Sequence, residues 1–92
     1  MLKPSYTKQL KKDIKKVKKS GSRDIEKLKT VIKTLIEEKQ LDLSYKDHKL
    51  QGNYKDRREC HITPDWLLIY NIDAKEKTII FERTGSHSDL FE

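Results

Sequence analysis

The chain has 92 residues, of which 39% are charged and only 34% are apolar, and its formal net charge is +6. This length predicts one domain, residues 1–92, with a modest core, because two domains would each be too small to bury themselves. No apolar run approaches the roughly 20 residues that span a bilayer, no secretory signal is present, and a single cysteine excludes an internal disulfide. We therefore expect a cytoplasmic protein without membrane contact.

The positive charge is concentrated at the start of the sequence. Residues 1–39 contain 13 Lys and Arg against 5 Asp and Glu, a net +8, whereas residues 40–92 contain 8 against 10, a net −2. A basic surface attracts polyanions, so nucleic acid, a ribosome or an acidic protein are all candidate partners. The same lysines would also serve simply to keep a helix solvated.

The first 39 residues predict an edge strand followed by two helices. Residues 2–4 are expected to form the strand, and Ser5 is expected to cap a helix that ends at Ser20-Gly21-Ser22. A second helix is predicted from Arg23 or Asp24 to about Lys39. The apolar stripe of the first helix consists of Tyr6, Leu10, Ile14 and Val17, and the wider face of the second contains Ile25, Leu28, Val31, Ile32, Leu35 and Ile36. Two helices with so short a connection pack as an antiparallel hairpin.

The rest of the chain predicts strands. Residues 50–54 form a strand or extended loop with a turn at Gly52 and Asn53, and residues 58–63 alternate, with Cys60 and Ile62 toward the helices. Glu59, His61 and Thr63 then face the other way.

A tight turn at residues 63–65 precedes a central strand, residues 66–72, which is apolar at almost every position. Residues 73–77 are a hairpin loop, residues 78–83 the returning strand, and Thr84-Gly85-Ser86 turns into a short tail. The predicted fold class is α+β, with the two-helix hairpin packed on one face of a small antiparallel β-sheet.

All three histidines, His48, His61 and His87, lie in the second half, among arginines and aromatic residues. Imidazole gives or takes a proton near neutrality, with an unperturbed pKa of about 6.5, so this composition suggests proton transfer around a phosphodiester. In metal-independent RNA cleavage a base takes the ribose 2′-hydroxyl proton, an acid protonates the departing 5′-oxygen, and cations stabilise the phosphate. Because DNA has no 2′-hydroxyl, this mechanism selects RNA.

Each of these residues also has an ordinary structural interpretation. A lone histidine is usually a surface residue, Asp65 can serve the proline turn, Trp66 can fill the core, and Phe91 can be pinned to it. A metal site formed by the histidines and Asp65 is disfavoured by spacing, since no pair lies close together as ligands on one helix do.

The two arginines nearest these histidines are ambiguous. Arg58 and Arg83 can pair with Glu59 or Glu82 at the surface. Arg83 is the better phosphate ligand because it precedes a Thr-Gly-Ser turn with exposed backbone N–H groups. Strict alternation gives it the face of Ile79 and Phe81, however, so either a bulge intervenes or that face is the catalytic one.

Three blocks carry a family resemblance: residues 48–52 (HKLQG), 58–70 (RECHITPDWLLIY) and 83–91 (RTGSHSDLF). In this order and spacing they closely resemble the YafQ family of bacterial toxins, within the RelE/ParE superfamily of toxin-antitoxin modules. The resemblance implies a RelE-like ribonuclease fold that cleaves mRNA in the ribosomal A site, needs no cofactor or metal, and is silenced by an acidic antitoxin. The family's functional residues fall on His48, His61, Asp65, Trp66, Arg83, His87 and Phe91.

Our hypothesis makes His87 the general acid, although the acid and base labels are exchangeable. His48 or His61 with Asp65 accepts the 2′-hydroxyl proton, and Arg83 binds the phosphate. Trp66 and Phe91 shape the pocket and position the base. The alternative function is a protein-binding toxin similar to the gyrase inhibitors of the same superfamily, which would not require three histidines.

Overall fold

A five-stranded sheet with helices on both faces makes up the fold. The structure, a computed structural model, describes residues 1–50 and 56–91. Its strands are β1 (Lys3–Tyr6), β2 (His48–Lys49), β3 (Arg58–Thr63), β4 (Trp66–Asp73) and β5 (Thr78–Gly85), in the order β1-β5-β4-β3-β2. The helices are α1 (Lys8–Ser20), α2 (Ile25–Ile36) and α3 (His87–Phe91), with a 3₁₀ turn at Leu43–Tyr45. The α+β prediction is confirmed.

Strand pairing departs from the prediction in one place. β1 runs parallel to β5, while the other three neighbouring pairs are antiparallel, as predicted. The parallel pair is possible because the helices and strands between β1 and β5 return the chain to the end of the sheet at which β1 begins. The predicted turn at Gly52 and Asn53 lies outside the described residues.

Thr7, not the predicted Ser5, caps α1. Ser5 and Tyr6 extend β1 opposite Ile80 and Phe81, so the helix cannot begin before them. Thr7 Oγ1 accepts the Leu10 backbone N–H at 3.0 Å and itself donates to the Glu82 carbonyl at 2.8 Å, which fixes the strand-to-helix corner.

The other helix boundaries follow the prediction closely. Gly21 ends α1 in the left-handed conformation, φ 66°, as the Ser-Gly-Ser segment predicted. Asp24 caps α2 by accepting the Glu26 N–H at 3.0 Å. The helix ends at Ile36, earlier than the predicted Lys39, because Glu38 adopts a positive φ of 59°.

The central strand β4 is covered on both faces, as its apolar run predicted. Trp66, Leu68 and Tyr70 lie in the core beneath α1 and α2, and Cys60 and Ile62 join them there. The alternate residues Leu67 and Ile69 pack on the opposite side of the sheet against Leu90.

A β-bulge between β4 and β5 resolves the orientation of Arg83. Ile69 lies opposite Arg83 whereas Tyr70 lies opposite Phe81, so Glu82 is the extra residue. The bulge moves Arg83 off the face of Phe81 and onto the face of Ile69. Strict alternation therefore predicts the wrong face for Arg83. The alternative prediction, a bulge before Arg83, is confirmed.

The C-terminal segment is a short helix rather than the predicted tail. β5 continues through Gly85, so the predicted turn at Thr84-Gly85-Ser86 is replaced by strand and only Ser86 leads into α3. Ser86 and Asp89 cap the helix reciprocally: the Asp89 N–H donates to Ser86 Oγ at 3.1 Å, and the Ser86 N–H donates to Asp89 Oδ2 at 3.0 Å. Among the helices described, none is long and apolar enough to traverse a bilayer.

The thiol of Cys60 should be chemically inert in the folded chain. The residue is fully buried, and this burial raises the pKa of the Cys60 thiol to about 12. At about pH 8, iodoacetamide should modify native Cys60 at least about 1000-fold more slowly than the same thiol in urea, because thiolate is the reactive form. Mass spectrometry of timed reactions measures both rates, and comparable rates would contradict the buried position.

Candidate active site

The face of the sheet opposite α1 and α2, here called the open face, carries most of the predicted chemistry. Directly paired residues on neighbouring antiparallel strands share a face. The register pairs His48 with Glu59, Glu59 with Ile69, His61 with Leu67, and Ile69 with Arg83. Residues from four strands therefore share one face, and α3 covers part of it through Leu90.

Two of the three histidines meet at a buried carboxylate, and we call His48, Glu59 and His61 the histidine cluster. Glu59 Oε2 lies 3.1 Å from His48 Nε2 and 3.7 Å from His61 Nε2. The ring centroids of the two histidines are 6.2 Å apart. The arrangement can take up a proton at either imidazole and hold the resulting charge against a carboxylate.

Backbone carbonyls orient both imidazoles. His48 Nδ1 donates to the Lys46 carbonyl at 2.8 Å, and His61 Nδ1 donates more weakly to the Pro64 carbonyl at 3.4 Å. Because a carbonyl only accepts, each Nδ1 carries a proton and each Nε2 is turned toward Glu59. The Pro64 turn thus helps to orient His61.

Glu59 is a candidate site residue that was not predicted from the sequence. It is only 3% exposed, and its Oε1 is buried without a hydrogen-bond partner among the described residues. A buried carboxylate oxygen left unpaired is costly and is typical of a functional site. Strand alternation did place Glu59 on the face of His61, but we considered it only as a surface partner for an arginine.

His87 and Phe91 lie on α3, whose Leu90 packs on the open face. Their ring centroids are 5.2 Å apart, and Phe91 is 39% exposed. α3 follows β5 directly, and β5 lies two strands from β3, a separation of about 10 Å. The structure therefore brings α3 to the open face, and His87 on this helix lies outside the histidine cluster.

Arg83 is held by α1. Its Nε and Nη2 atoms donate to the two carboxylate oxygens of Asp13 at 3.0 and 3.1 Å, and Asp13 is buried. Asp13 also accepts the Thr84 backbone N–H at 3.2 Å. This fork-shaped pair fixes the guanidinium at the edge of the open face. Asp13 had no predicted role, although it falls between Leu10 and Val17 on the apolar stripe of α1.

Asp65 and Trp66 are not brought to the histidines. The carboxylate of Asp65 accepts from Thr63 Oγ1 at 3.0 Å and lies 3.9 Å from an Arg23 nitrogen. Trp66 is fully buried on the helix side, where its Nε1 donates to Thr84 Oγ1 at 2.8 Å. The carboxylate that lies beside the histidines belongs to Glu59, where we had predicted Asp65.

Arg58 lies away from the histidine cluster. It contacts Asp47 at 2.8 Å, rather than Glu59 or Glu82, the two surface partners that the sequence offered to the arginines, and Tyr70 also donates to this carboxylate. Asp47 immediately precedes His48, so this contact anchors the start of β2.

The donor atoms of the histidine cluster also suit a metal ion. His48, Glu59 and His61 each offer one ligand atom, and these atoms lie within 4.8 Å of one another. Two imidazoles and a carboxylate are a donor set used by zinc and other transition metals. Sequence spacing did not reveal it because pairing of β2 with β3 assembles it.

Comparison with known proteins identifies the class. Residues 2–92 match the model of a family described as a bacterial toxin of type II toxin-antitoxin system, YafQ. A curated relative, the mRNA interferase toxin YafQ of Escherichia coli strain K12, is 44% identical over 87 residues, which cover 94% of this chain and 91% of the relative. The fold and sequence thus define a toxin of a type II toxin-antitoxin system.

Solved structures agree with this assignment. The YafQ toxin in the E. coli DinJ-YafQ complex has a TM-score of 0.90 and 40% identity over 100% of both chains. A metal-bound toxin from Helicobacter pylori has a TM-score of 0.91 and 44% identity, covering 99% of this chain and 100% of that one. The chain belongs to the YafQ family of toxins.

Replacement of Trp66 by Phe tests whether the buried indole only stabilises the fold or also contacts substrate. The variant loses the hydrogen bond to Thr84 and should lose about 1–3 kcal/mol of unfolding free energy. RNA cleavage, measured well below the melting temperature, should change less than about threefold, because the indole is fully buried and has no surface to offer a base. Loss of a base-stacking contact would instead cost about 1–3 kcal/mol of binding. A folded variant that binds or cuts message far more weakly would show that the ring contacts substrate.

Proposed function

We propose that this toxin cuts messenger RNA on the bacterial ribosome by metal-independent acid/base chemistry on the open face of its sheet. The observation that carries the proposal is the histidine cluster, in which two oriented imidazoles share one buried carboxylate. The family assignment supports it, since the E. coli relative is named an mRNA interferase toxin. Because bacterial ribosomes are in the cytoplasm, the toxin acts there under this proposal.

The base is supplied by the histidine cluster. His48 or His61 takes the proton from the ribose 2′-hydroxyl, and Glu59 stabilises the imidazolium that forms. The 2′-oxygen attacks phosphorus, and the bond from phosphorus to the 5′-oxygen breaks. Glu59 takes the orienting role that we predicted for Asp65 from the sequence. Asp65 instead belongs to the turn beside His61, where it accepts a hydrogen bond from Thr63.

The acid is His87, which protonates the departing 5′-oxygen and so leaves a 2′,3′-cyclic phosphate and a 5′-hydroxyl. Arg83 stabilises charge on the phosphate, and its side chain keeps 33% exposure while Asp13 fixes its direction. The partly exposed ring of Phe91 positions a base by stacking. Trp66 contributes indirectly, by stabilising the fold with its buried ring and its hydrogen bond to Thr84.

Single replacement of His87 by Ala, His61 by Ala or Glu59 by Gln tests these roles. Each should slow cleavage of message on programmed ribosomes by about 10²- to 10⁴-fold, because each removes one proton-transfer group or its support. Primer extension locates the cuts, and end analysis detects the cyclic phosphate. Lys75→Ala, in the exposed loop between β4 and β5, is the matched control. Undiminished cleavage by His87→Ala would exclude its role as the acid.

The lysines of α1 supply attraction to ribosomal RNA. Lys15, Lys16, Lys18 and Lys19 are exposed along this helix. Lys16 lies 3.6 Å from Asp89, but this ion pair is exposed and therefore weak. Contacts between lysines and phosphates are independent of sequence and weaken as salt is raised.

Replacement of these four lysines by Gln should weaken ribosome binding and make it less sensitive to salt. Each lost phosphate contact should reduce the logarithmic salt slope by about 0.7–0.9 between about 50 and 200 mM salt. A variant with Lys27, Lys29, Lys33 and Lys39 changed to Gln has the same net charge and is the control. Equal binding by both variants would assign the attraction to net charge alone.

A cognate antitoxin is the expected protein partner. The DinJ-YafQ complex of the relative supports such a pairing for this chain. An acidic antitoxin would be drawn to the basic first half of the sequence. The gyrase-inhibitor alternative is disfavoured because it has no use for the histidine cluster, and intact message in translating extracts would be required to revive it.

A further inference from the structure

We infer that Asp47, Arg58 and Tyr70 are positioning residues for the cleavage reaction, because together they fix the direction of the His48 imidazole. The three side chains form a hydrogen-bonded group outside the histidine cluster, here called the anchor. The catalytic half of this inference rests on the proposed function, in which His48 is one of the two candidate bases. The anchoring half is a structural claim and is tested without RNA.

The strand that carries His48 is held by few backbone contacts. β2 consists of His48 and Lys49 and lies at the edge of the sheet, where β3 is its neighbour. Two pairings set its register, His48 with Glu59 and Lys49 with Arg58. A segment with so short a ladder opens readily unless side chains hold it in place. The position of the imidazole therefore depends on contacts beyond the strand itself.

Asp47, immediately before β2, makes those contacts through both of its carboxylate oxygens. Oδ1 accepts from Arg58 Nε at 2.8 Å and lies 2.8 Å from Arg58 Nη2, while Oδ2 accepts from the Tyr70 hydroxyl. Burial raises the pKa of the Tyr70 hydroxyl, and the hydrogen bond to Asp47 raises it further, so Tyr70 remains a donor at neutral pH. Charge-assisted hydrogen bonds from two directions hold the carboxylate firmly.

The anchor and the imidazole lie on opposite faces of the sheet. Arg58 is paired directly with Tyr70 across β3 and β4, and the Tyr70 ring is in the core beneath the helices. Asp47 is therefore held on the helix side, whereas Nε2 of the next residue, His48, lies 3.1 Å from Glu59 on the open face. Because the two residues are adjacent in the chain, a displacement of Asp47 moves His48.

Lys46 connects the anchor to the orientation of the ring. Its φ of 48° is in the left-handed region, which residues with a side chain rarely adopt and which persists only where the surrounding structure holds it. In this conformation the Lys46 carbonyl accepts the His48 Nδ1–H at 2.8 Å. Loss of the Asp47 contacts should let Lys46 relax, and the imidazole then loses the hydrogen bond that orients it.

Anchoring is tested by nuclear magnetic resonance on the full chain without RNA. In toxin labelled with nitrogen-15 histidine, the His48 Nδ1–H should give a proton resonance that exchanges slowly with water, and His48→Ala assigns it. Tyr70→Phe keeps the buried ring but removes a donor to Asp47, so exchange should become at least about tenfold faster. Val31→Ala, at a buried position of α2, is the control for lost stability and should leave exchange unchanged. Absence of the resonance in the unaltered toxin, or unchanged exchange in Tyr70→Phe, would overturn the anchor.

The catalytic half is tested on programmed ribosomes. Tyr70→Phe and Asp47→Asn should each lower kcat about 10- to 100-fold at unchanged KM, because a displaced base reacts slowly while ribosome binding is retained. Since both changes act through one contact, the double variant should be within about threefold of Asp47→Asn alone. Val31→Ala should cut at the normal rate. A loss confined to KM, a full rate in Tyr70→Phe, or losses that multiply in the double variant would overturn the positioning role.

The proposed function fails in a different way. Full cleavage by His48→Ala would show that His48 takes no part in the reaction, and it would overturn the catalytic half while the resonance still reports the anchor. An unaltered toxin that cuts no message on ribosomes would contradict the proposed function itself. Faster exchange in Tyr70→Phe would support anchoring in either case.

Discussion

The contact on which the site depends is the one between the buried carboxylate of Glu59 and the two imidazoles beside it. It exists because β2, only two residues long, pairs with β3 in the register that sets His48 opposite Glu59. His61, two residues further along β3, then falls on the same face. A slip of one residue in β3 would turn Glu59 and His61 into the helix-side core and destroy the site.

A second network of hydrogen bonds links α1 to β5, two strands away from β3 and its part of the histidine cluster. Asp13 on α1 binds the Arg83 guanidinium and the Thr84 N–H, and Thr84 Oγ1 accepts from Trp66. The bulge at Glu82 makes this possible, because it turns Arg83 away from the core while Thr84 stays buried. The helix with the exposed lysines is therefore directly linked to the predicted phosphate ligand.

Much of the fold could be predicted from the sequence because periodicity reports burial. The helices, the alternation of β3 and the apolar run of β4 all produce regular patterns. The start of α1 was misplaced because pairing of β1 with β5 overrides local capping: Tyr6 stacks on Phe81, with ring centroids 5.5 Å apart, instead of joining the helix. Likewise α3, five residues long, is too short for a detectable period.

The site was predictable only in part. The family blocks pointed to the histidines and to Arg83, but residues that act through tertiary contacts carry no local pattern. Glu59 resembled one more surface acid in an alternating strand, and Asp13 a single acid among lysines. Both become meaningful only when burial and distance are known. Trp66 shows the reverse, since its motif suggests a substrate contact while the fold uses it as a core residue.

The division of labour between the histidine cluster and His87 is tested most directly by changing the leaving group. A message with sulfur in place of the bridging 5′-oxygen at the scissile linkage needs no acid, because a thiolate departs without protonation. On ribosomes programmed with it, His87→Ala should cut to within about tenfold of the unaltered toxin, while Glu59→Gln and His61→Ala should remain slow. If sulfur fails to rescue His87→Ala, or rescues all three variants equally, the assignment of acid and base is wrong.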